Sequence, residues 1–293
     1  MKKLLAMAVT AAFTVSMLAG CGQSAETTDA SAQETTQETE TEAADEETVG
    51  TADAASEDTA ERTTFTVGFD AEFPPYGYMD ESGEYTGFDL ELAQEVCDRN
   101  GWELVKQPID WDSKDMELSS GAIDCIWNGF TMNGREDAYT FSVPYVDNSQ
   151  VFVVAADSGI TVFDDLAGKN VGVQKDSSAL AALEGDAAEL AATFGNLTQY
   201  SDYNTAFMDL EQGAIDALAI DVGVADYQIA SRGEGFVKLS ENLASEQYGI
   251  GFKLGNVELK DQVEKTLLEM ADDGTFGKIA EKYGLSDSVC LGK

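Results

Sequence analysis

In the stretch NGFTMNGRED, Asn128 to Asp137, one arginine stands in a chain that carries 17 Lys+Arg against 55 Asp+Glu. A planar guanidinium that never deprotonates makes two parallel charge-assisted hydrogen bonds to a carboxylate, so Arg135 is a candidate anion receiver. Its surroundings have an echo further on. GAIDCIWNGF begins at Gly121 and GAIDALAIDV at Gly213. Each follows a helical pattern (115–120 and 203–212), with the glycine placed to cap it, and each then enters an apolar strand. Five residues after Asp124 comes Gly129, followed by Thr131 and Arg135; five residues after Asp216 comes Asp221. In open α/β sheets, ligands sit beyond the carboxyl ends of the strands. One strand end would then offer a hydroxyl, a backbone NH and a guanidinium, and the other a carboxylate. A cleft between them suits a zwitterion.

Composition narrows the chemistry further. A sequence pI near 4.1 argues against nucleic acid, because neutralising phosphates needs clustered Lys and Arg, and against electrostatic adhesion to anionic lipid. The net charge of −38 does not exclude a contact role for Arg135. Salt screens long-range fields within about 8–10 Å, whereas a guanidinium acts at contact. Histidine is absent, which removes Ser-His-Asp and Cys-His catalysis and every histidine-ligated metal site. No Cys spacing fits a metal, and neither a metal nor another cofactor is expected. No catalytic residue is assigned, and the commonest general base is missing.

The elements that must position these residues fall into an ordered plan. Lys2 and Lys3 precede an apolar run from Leu4 to Ala19, which has the pattern of a signal peptide over 1–20. It ends in LAGC, which resembles the lipobox of bacterial lipoproteins; that resemblance implies a diacylglycerol on Cys21. Residues 21–62 form an acidic linker with Val49 as its one large aliphatic residue, too little to offset the entropy of ordering. About 41 flexible residues span on the order of 35 Å, enough to hold a domain off a membrane. Folded structure is expected from TFTVGFD, Thr64 to Asp70, followed by a Pro-Pro turn, a hairpin around DESGEYTG and a helix over 89–100. Strands and helices then alternate to the end, an α/β pattern. TVGFD at Thr66 and NVGVQ at Asn170 form a second, weaker echo, as two lobes of similar design would. Of the remaining cysteines, Cys97, Cys125 and Cys290, buried thiols are expected.

At this point the residues carry a family resemblance. From about Thr64 to Gly284 the chain resembles the amino-acid-binding branch of the extracellular solute-binding proteins that serve ABC importers. The matching fragments are VGFDAEFPPYGYMDESGEYTGFDLELAQEV (Val67–Val96), GREDAYTFSVPY (Gly134–Tyr145), VGVQKDSSA (Val171–Ala179) and DDGTFGKIAEKYG (Asp272–Gly284). The resemblance implies a two-lobe α/β fold, periplasmic-binding-protein-like, with two hinge crossings near 147–151 and 247–251 and a ligand cleft between the lobes. Lobe one would be 63–149 with 247–293, and lobe two 150–246. It implies that Arg135 receives a ligand α-carboxylate, assisted by Ser178 at a helix N-terminus, and that Asp221 receives the α-ammonium. Phe73 and Trp111 would be aromatic walls, Asp70 a polar contact, and Gly129 and Thr131 the segment before the arginine. Two departures stand out. TMNGR is one residue shorter than the family pattern, which bears on Thr131, and Asp176 occupies the position of a loop glycine. Asn128 and Asp70 lean the pocket towards polar side chains such as glutamine, cystine or a basic amino acid. The implied protein is a monomer, lipid-anchored at the outer face of a Gram-positive-type cell membrane, delivering an amino acid to ABC permease subunits. The alternative is an enzyme on the same fold, dehydratase-like or peptidoglycan-cleaving, with Glu72 the acid to suspect.

Overall fold

The computed structural model describes residues 62–292. The expected signal peptide, Cys21 and the acidic linker as far as residue 61 lie outside the described residues. Arg62, placed at the far end of that linker, is described and pairs with Asp124 at 2.9 Å.

The chain starts with β1 (Thr64–Phe69), a small meander of β2 (Glu72–Phe73), β3 (Gly77–Met79) and β4 (Tyr85–Thr86), and helix α1 (Phe88–Asn100). Then come β5 (Glu103–Pro108), a 3-10 turn at Trp111–Ser113, α2 (Lys114–Ser120), β6 (Cys125–Ile126) and β7 (Tyr139–Phe141). The long strand β8 (Val146–Ala155) leads to β9 (Asn170–Gln174), α3 (Ser178–Glu184), α4 (Ala188–Ala191), β10 (Asn196–Tyr200) and α5 (Tyr203–Glu211). It continues with β11 (Ala217–Asp221), α6 (Val222–Arg232), β12 (Phe236–Lys238) and β13 (Ala244–Tyr248). The last elements are β14 (Gly251–Lys253), α7 (Val257–Asp272) and α8 (Thr275–Lys282). The hairpin expected around DESGEYTG is the β3–β4 pair, with Tyr78 opposite Thr86.

These strands sort into two main sheets, β5-β1-β6-β14-β7 and β10-β9-β11-β8-β12, with β13 also paired to β8. Two α/β lobes result. The chain leaves the first along β8 and returns along β13, and these strands pair antiparallel from Val146↔Tyr248 to Gln150↔Ala244. The hinge crossings are therefore one two-stranded ribbon. Its return strand, Ala244–Tyr248, begins slightly before the 247–251 expected from sequence.

The internal echo has a packing cause. Asp124 N donates to Thr66 O at 2.8 Å, and Asp124 Oδ2 accepts from Thr66 N at 2.7 Å. In the other lobe Asp216 N donates to Asn170 O at 2.7 Å, and Asp216 Oδ2 accepts from Asn170 N at 2.8 Å. Each GAID aspartate thus clamps the start of the neighbouring parallel strand. Its isoleucine then lies across that strand. A Cβ on Gly68 would fall 2.4 Å from Ile123 Cδ1, and one on Gly172 would fall 2.6 Å from Ile215 Cδ1. The glycines of TVGFD and NVGVQ are the holes into which the isoleucines of the two GAID segments fit. Gly121 (φ 81°) and Gly213 (φ 71°) supply the left-handed turns between helix and strand. Cys97 and Cys125 are buried, and Cys290 is half-buried.

Candidate functional site

The segment after β6 is held from beneath. Asp89, fully buried in α1, accepts from Gly129 N at 2.6 Å and from Tyr145 OH at 3.0 Å. Gly129 has φ 55°, and a Cβ there would stand 2.9 Å from Phe73 Cε1 and 3.0 Å from Tyr248 Cε2. Only glycine fits both the dihedral and the space. The shortened TMNGR turn closes through Arg135 N donating to Met132 O at 3.0 Å, with Gly134 at φ 78°. Arg135 then reaches back: Nη1 donates to Thr131 O at 3.1 Å, and the guanidinium carbon lies 5.0 Å above the Phe130 ring. Thr131 and Arg135 line the same cavity.

On the facing lobe, β9 ends at Gln174 and the turn into α3 passes through Asp176 at φ 53°. Aspartate is one of the few side chains that tolerate this left-handed region, the conformation a glycine would adopt without cost. The residue that caps α3 is Ser177, whose Oγ accepts from Leu180 N at 3.1 Å. Ser178, expected at the helix N-terminus, is the first helical residue. Its Oγ accepts from Gln150 Nε2 at 2.8 Å and meets Thr131 Oγ1 at 3.2 Å. Asp221 closes β11 and opens α6. Its Oδ1 accepts from Tyr248 OH at 2.6 Å, Gln150 Nε2 at 2.7 Å and Asn148 Nδ2 at 2.9 Å.

Phe73, Trp111, Gly129, Thr131, Arg135, Ser178 and Asp221 line one cavity of about 10 Å³. That is room for roughly one water, so the two lobes stand closed on one another. Asp70 lies at its border. Its Oδ2 accepts from Gln174 Nε2 of the other lobe at 2.7 Å, and with Trp111 it lines a neighbouring cavity of about 430 Å³. Further contacts join the lobes. Arg135 Nη2 donates to Asp176 O at 3.3 Å, Lys175 faces Asp112 at 3.9 Å, and Asn204 donates to Glu72. Lys114, 1% exposed, pairs with the Asp176 carboxylate and lies 5.0 Å from the Trp111 ring centroid. The acid that stands where a glycine was expected is therefore neutralised by a buried lysine.

Burial sets the electrostatics. Burial pushes Asp70 up to about 6, against the pull of hydrogen bonds from Glu72 N and Gln174. Burial pushes Asp89 up to about 7. Asp221 is pushed up to about 7, first by burial and then by the charge of Glu246. Burial also lowers the Lys114 ammonium, which the Asp176 charge partly offsets. Among the described residues no group of three His, Cys, Asp or Glu side chains is arranged to hold a metal ion.

Several polar residues at the site escaped the sequence reading. Glu246 (7% exposed) accepts from Thr131 Oγ1 at 2.9 Å, Gln150 Nε2 at 2.8 Å and Asn148 Nδ2 at 2.7 Å. Asn148 and Gln150 share one face of β8 two residues apart, and that alternation of amides was the signal available. Lys114 gave none, since a lysine opening a helix looks like surface.

Two lobes joined by a paired ribbon, closing over a cavity with a guanidinium on one wall and a carboxylate on the other, define the architecture of a solute-binding protein. Residues 65–286 match the bacterial extracellular solute-binding proteins, family 3, and the chain belongs to that family. The L-cystine-binding protein TcyJ of Escherichia coli (strain K12) is 30% identical over 226 residues, covering 76% of this chain and 83% of that protein. Among solved structures, a substrate-binding protein of an ABC uptake transporter from Streptococcus pneumoniae with bound histidine has a TM-score of 0.74 and 34% identity, covering 77% of this chain and 94% of that one. An ancestral arginine-binding protein bound to glutamine has a TM-score of 0.70 and 35% identity, covering 76% and 99%.

Proposed function

We propose that this protein captures an L-amino acid between its lobes and delivers it to the permease of an ABC importer. The observation that carries the reading is that Arg135 and Asp221, opposite charges at echoing strand ends, line one small cavity. Arg135 would receive the α-carboxylate, with Ser178 beside it, and Asp221 the α-ammonium. Thr131 and Gly129 shape the floor, and Phe73 and Trp111 flank the side chain. The adjoining 430 Å³ cavity is lined by Asp70, Glu72, Asp110, Glu117 and Asp202 and by no Lys or Arg, which favours a cationic or strongly polar side chain. Lobe one is taken as 63–149 with 247–293 and lobe two as 150–246. Lipidation of Cys21 would hold a monomer at the outer face of the membrane.

The enzyme alternative fares worse. Glu72, the acid suspected for it, is exposed and bonded to Asn204 across the cleft. Binding without turnover is the activity put forward.

The test is a melting screen of the twenty amino acids plus L-cystine. A ligand at about a hundred times its Kd adds about 2.7 kcal/mol, which for a fold of this size is a rise of roughly 5–10 °C. One chemical class should give such a rise. No rise with any of them would sink the reading.

A further inference from the structure

The site holds two buried acids where the zwitterion reading needs one. Asn148 Nδ2 lies 2.9 Å from Asp221 Oδ1 and 2.7 Å from Glu246 Oε1. Gln150 Nε2 lies 2.7 Å and 2.8 Å from the same two oxygens. Two carboxylates are thus bridged by two amide NH2 groups, and all four side chains are buried. Among the described residues neither acid has a Lys or Arg partner. A second observation comes from the other end of the same two amides. With their NH2 groups committed to the pair, Asn148 Oδ1 and Gln150 Oε1 are buried with no hydrogen-bond donor. Buried acceptors of this kind call for a donor-rich group, and an ammonium has three donors.

We propose that Asp221 and Glu246 act as one carboxylate pair that holds a single proton in the unliganded site and releases it to solvent when an ammonium group docks on Asp221. The release step rests on the amino-acid reading; the shared proton does not. Charge balances at each stage. The unliganded pair is a carboxylic acid beside a carboxylate. Docking brings one positive charge, the proton leaves, and two carboxylates then face the ammonium.

The neighbours do not supply an alternative countercharge. Tyr248 OH on β13 donates to Asp221 at 2.6 Å, and Tyr203 OH on α5 lies 3.4 Å away. Burial raises both phenols well above their ordinary value, as it does Tyr76 in the turn before β3. Further acids face this region: Asp70 after β1, Asp89 on α1 and Asp226 on α6. Arg135 is the cation on the cavity wall, and its guanidinium is bonded to Thr131 O and Asp176 O. Like charges that close cannot both ionise freely without a cation, and Asp221 is accordingly pushed up to about 7.

Two arms test this. In the first, ligand-free wild type and Glu246→Gln are melted from pH 5.5 to 8.5. Asp70 and Asp89 are common to both, so the difference isolates the pair. A proton bound by the folded but not the unfolded chain stabilises below the folded pKa and ceases to do so above it. Wild type should therefore lose about 3 °C or more relative to E246Q as pH rises through 7. Should E246Q not fold, Asp221→Asn must flatten the same slope. Parallel curves overturn the shared proton, whatever the protein binds. In the second arm L-arginine, L-histidine, L-glutamine and L-cystine are titrated calorimetrically at pH 7.0 in phosphate and in Tris. Release of about half a proton per probe bound is expected for wild type, and close to none for E246Q. Equal heats in the two buffers overturn the release. No binding by any of the four probes overturns the release and the amino-acid reading together.

Discussion

At the scale of single residues, Lys114 and Asp176 show how the chain accommodates an acid in a left-handed turn. The two ends of this pair are unequal, with the lysine side chain 2% exposed and the aspartate 53%. Removing the exposed partner leaves an ammonium buried and unpaired, whereas replacing the lysine by an apolar side chain of similar length removes the buried charge itself. Opening the cleft would rehydrate Lys114, so the penalty falls on the closed state. Discounted for the exposure of Asp176, Asp176→Asn should weaken binding by about 1–2 kcal/mol, roughly five- to thirtyfold. Lys114→Met should cost less. Calorimetric affinities that rank the two variants the other way would show that the pair does not hold the lobes together. Sequence exposed only half of this contact. Asp176 is visible as a departure from a glycine pattern, but its partner lies 62 positions away, and no local pattern marks a lysine that folds inward. Asp221 was legible because it stands at the repeated strand signal's spacing, where the other lobe has Gly129, and Arg135 because it follows that Gly129 segment as the lone cation of its stretch in an acidic chain. Glu246 was not, because it sits on the return strand of the hinge, which no motif marks.

At the scale of elements, the two GAID segments and their partner strands form the same interlocking device twice. The apolar spacing reveals the strands, while the fit of Ile123 over Gly68 and of Ile215 over Gly172 appears only once parallel neighbours are placed side by side. Gly68→Ala should force the isoleucine out of its position and destabilise the protein by about 1–3 kcal/mol, as overpacking of a core does. The methyl it meets first is Ile123 Cδ1 at 2.4 Å, followed by Cγ2 at 3.1 Å. Ile123→Val deletes the first of these, so the double variant should recover part of the loss. Urea denaturation of the four proteins in the cycle measures this coupling. Strict additivity would show that the contact is relieved elsewhere. The helix and strand bounds expected from sequence fall within a residue or two of those observed, since capping glycines and apolar periodicity are local signals. The capping role of Ser177, adjacent to the expected Ser178, is the kind of one-residue difference that local signals leave open.

At the scale of the whole molecule, a chain with net charge −38 also buries acids in and beneath its cleft. Asp70, at about 6, and Asp89 and Asp221, at about 7, all lie above the unfolded carboxylate range. Groups raised in this way contribute stability that is complete below about pH 4 and is lost as pH rises through 6 to 7. Surface repulsion acts in the same direction. The ligand-free protein should therefore melt higher at pH 5.5 than at pH 8 in 150 mM salt, as read by scanning calorimetry. A melting temperature that climbs over that interval would mean that the cleft acids are ionised and compensated. The two-lobe plan was legible in the alternation of elements and in the family fragments. The closeness of the lobes was not, because it depends on contacts between segments far apart in the chain. If Arg135 and Asp221 receive opposite ends of one amino acid, calorimetric affinity for the amino acid found in the melting screen shows it most directly. Truncating one member of a desolvated charge pair costs about 2–5 kcal/mol, so Arg135→Ala and Asp221→Asn should each weaken binding by roughly thirty- to several-thousand-fold. Arg135→Lys should recover only part of this, since a point charge cannot reproduce the fork, and Glu136→Ala should change affinity by less than about 1 kcal/mol. Folded Arg135→Ala and Asp221→Asn proteins that both bind within a few-fold of wild type would contradict the account.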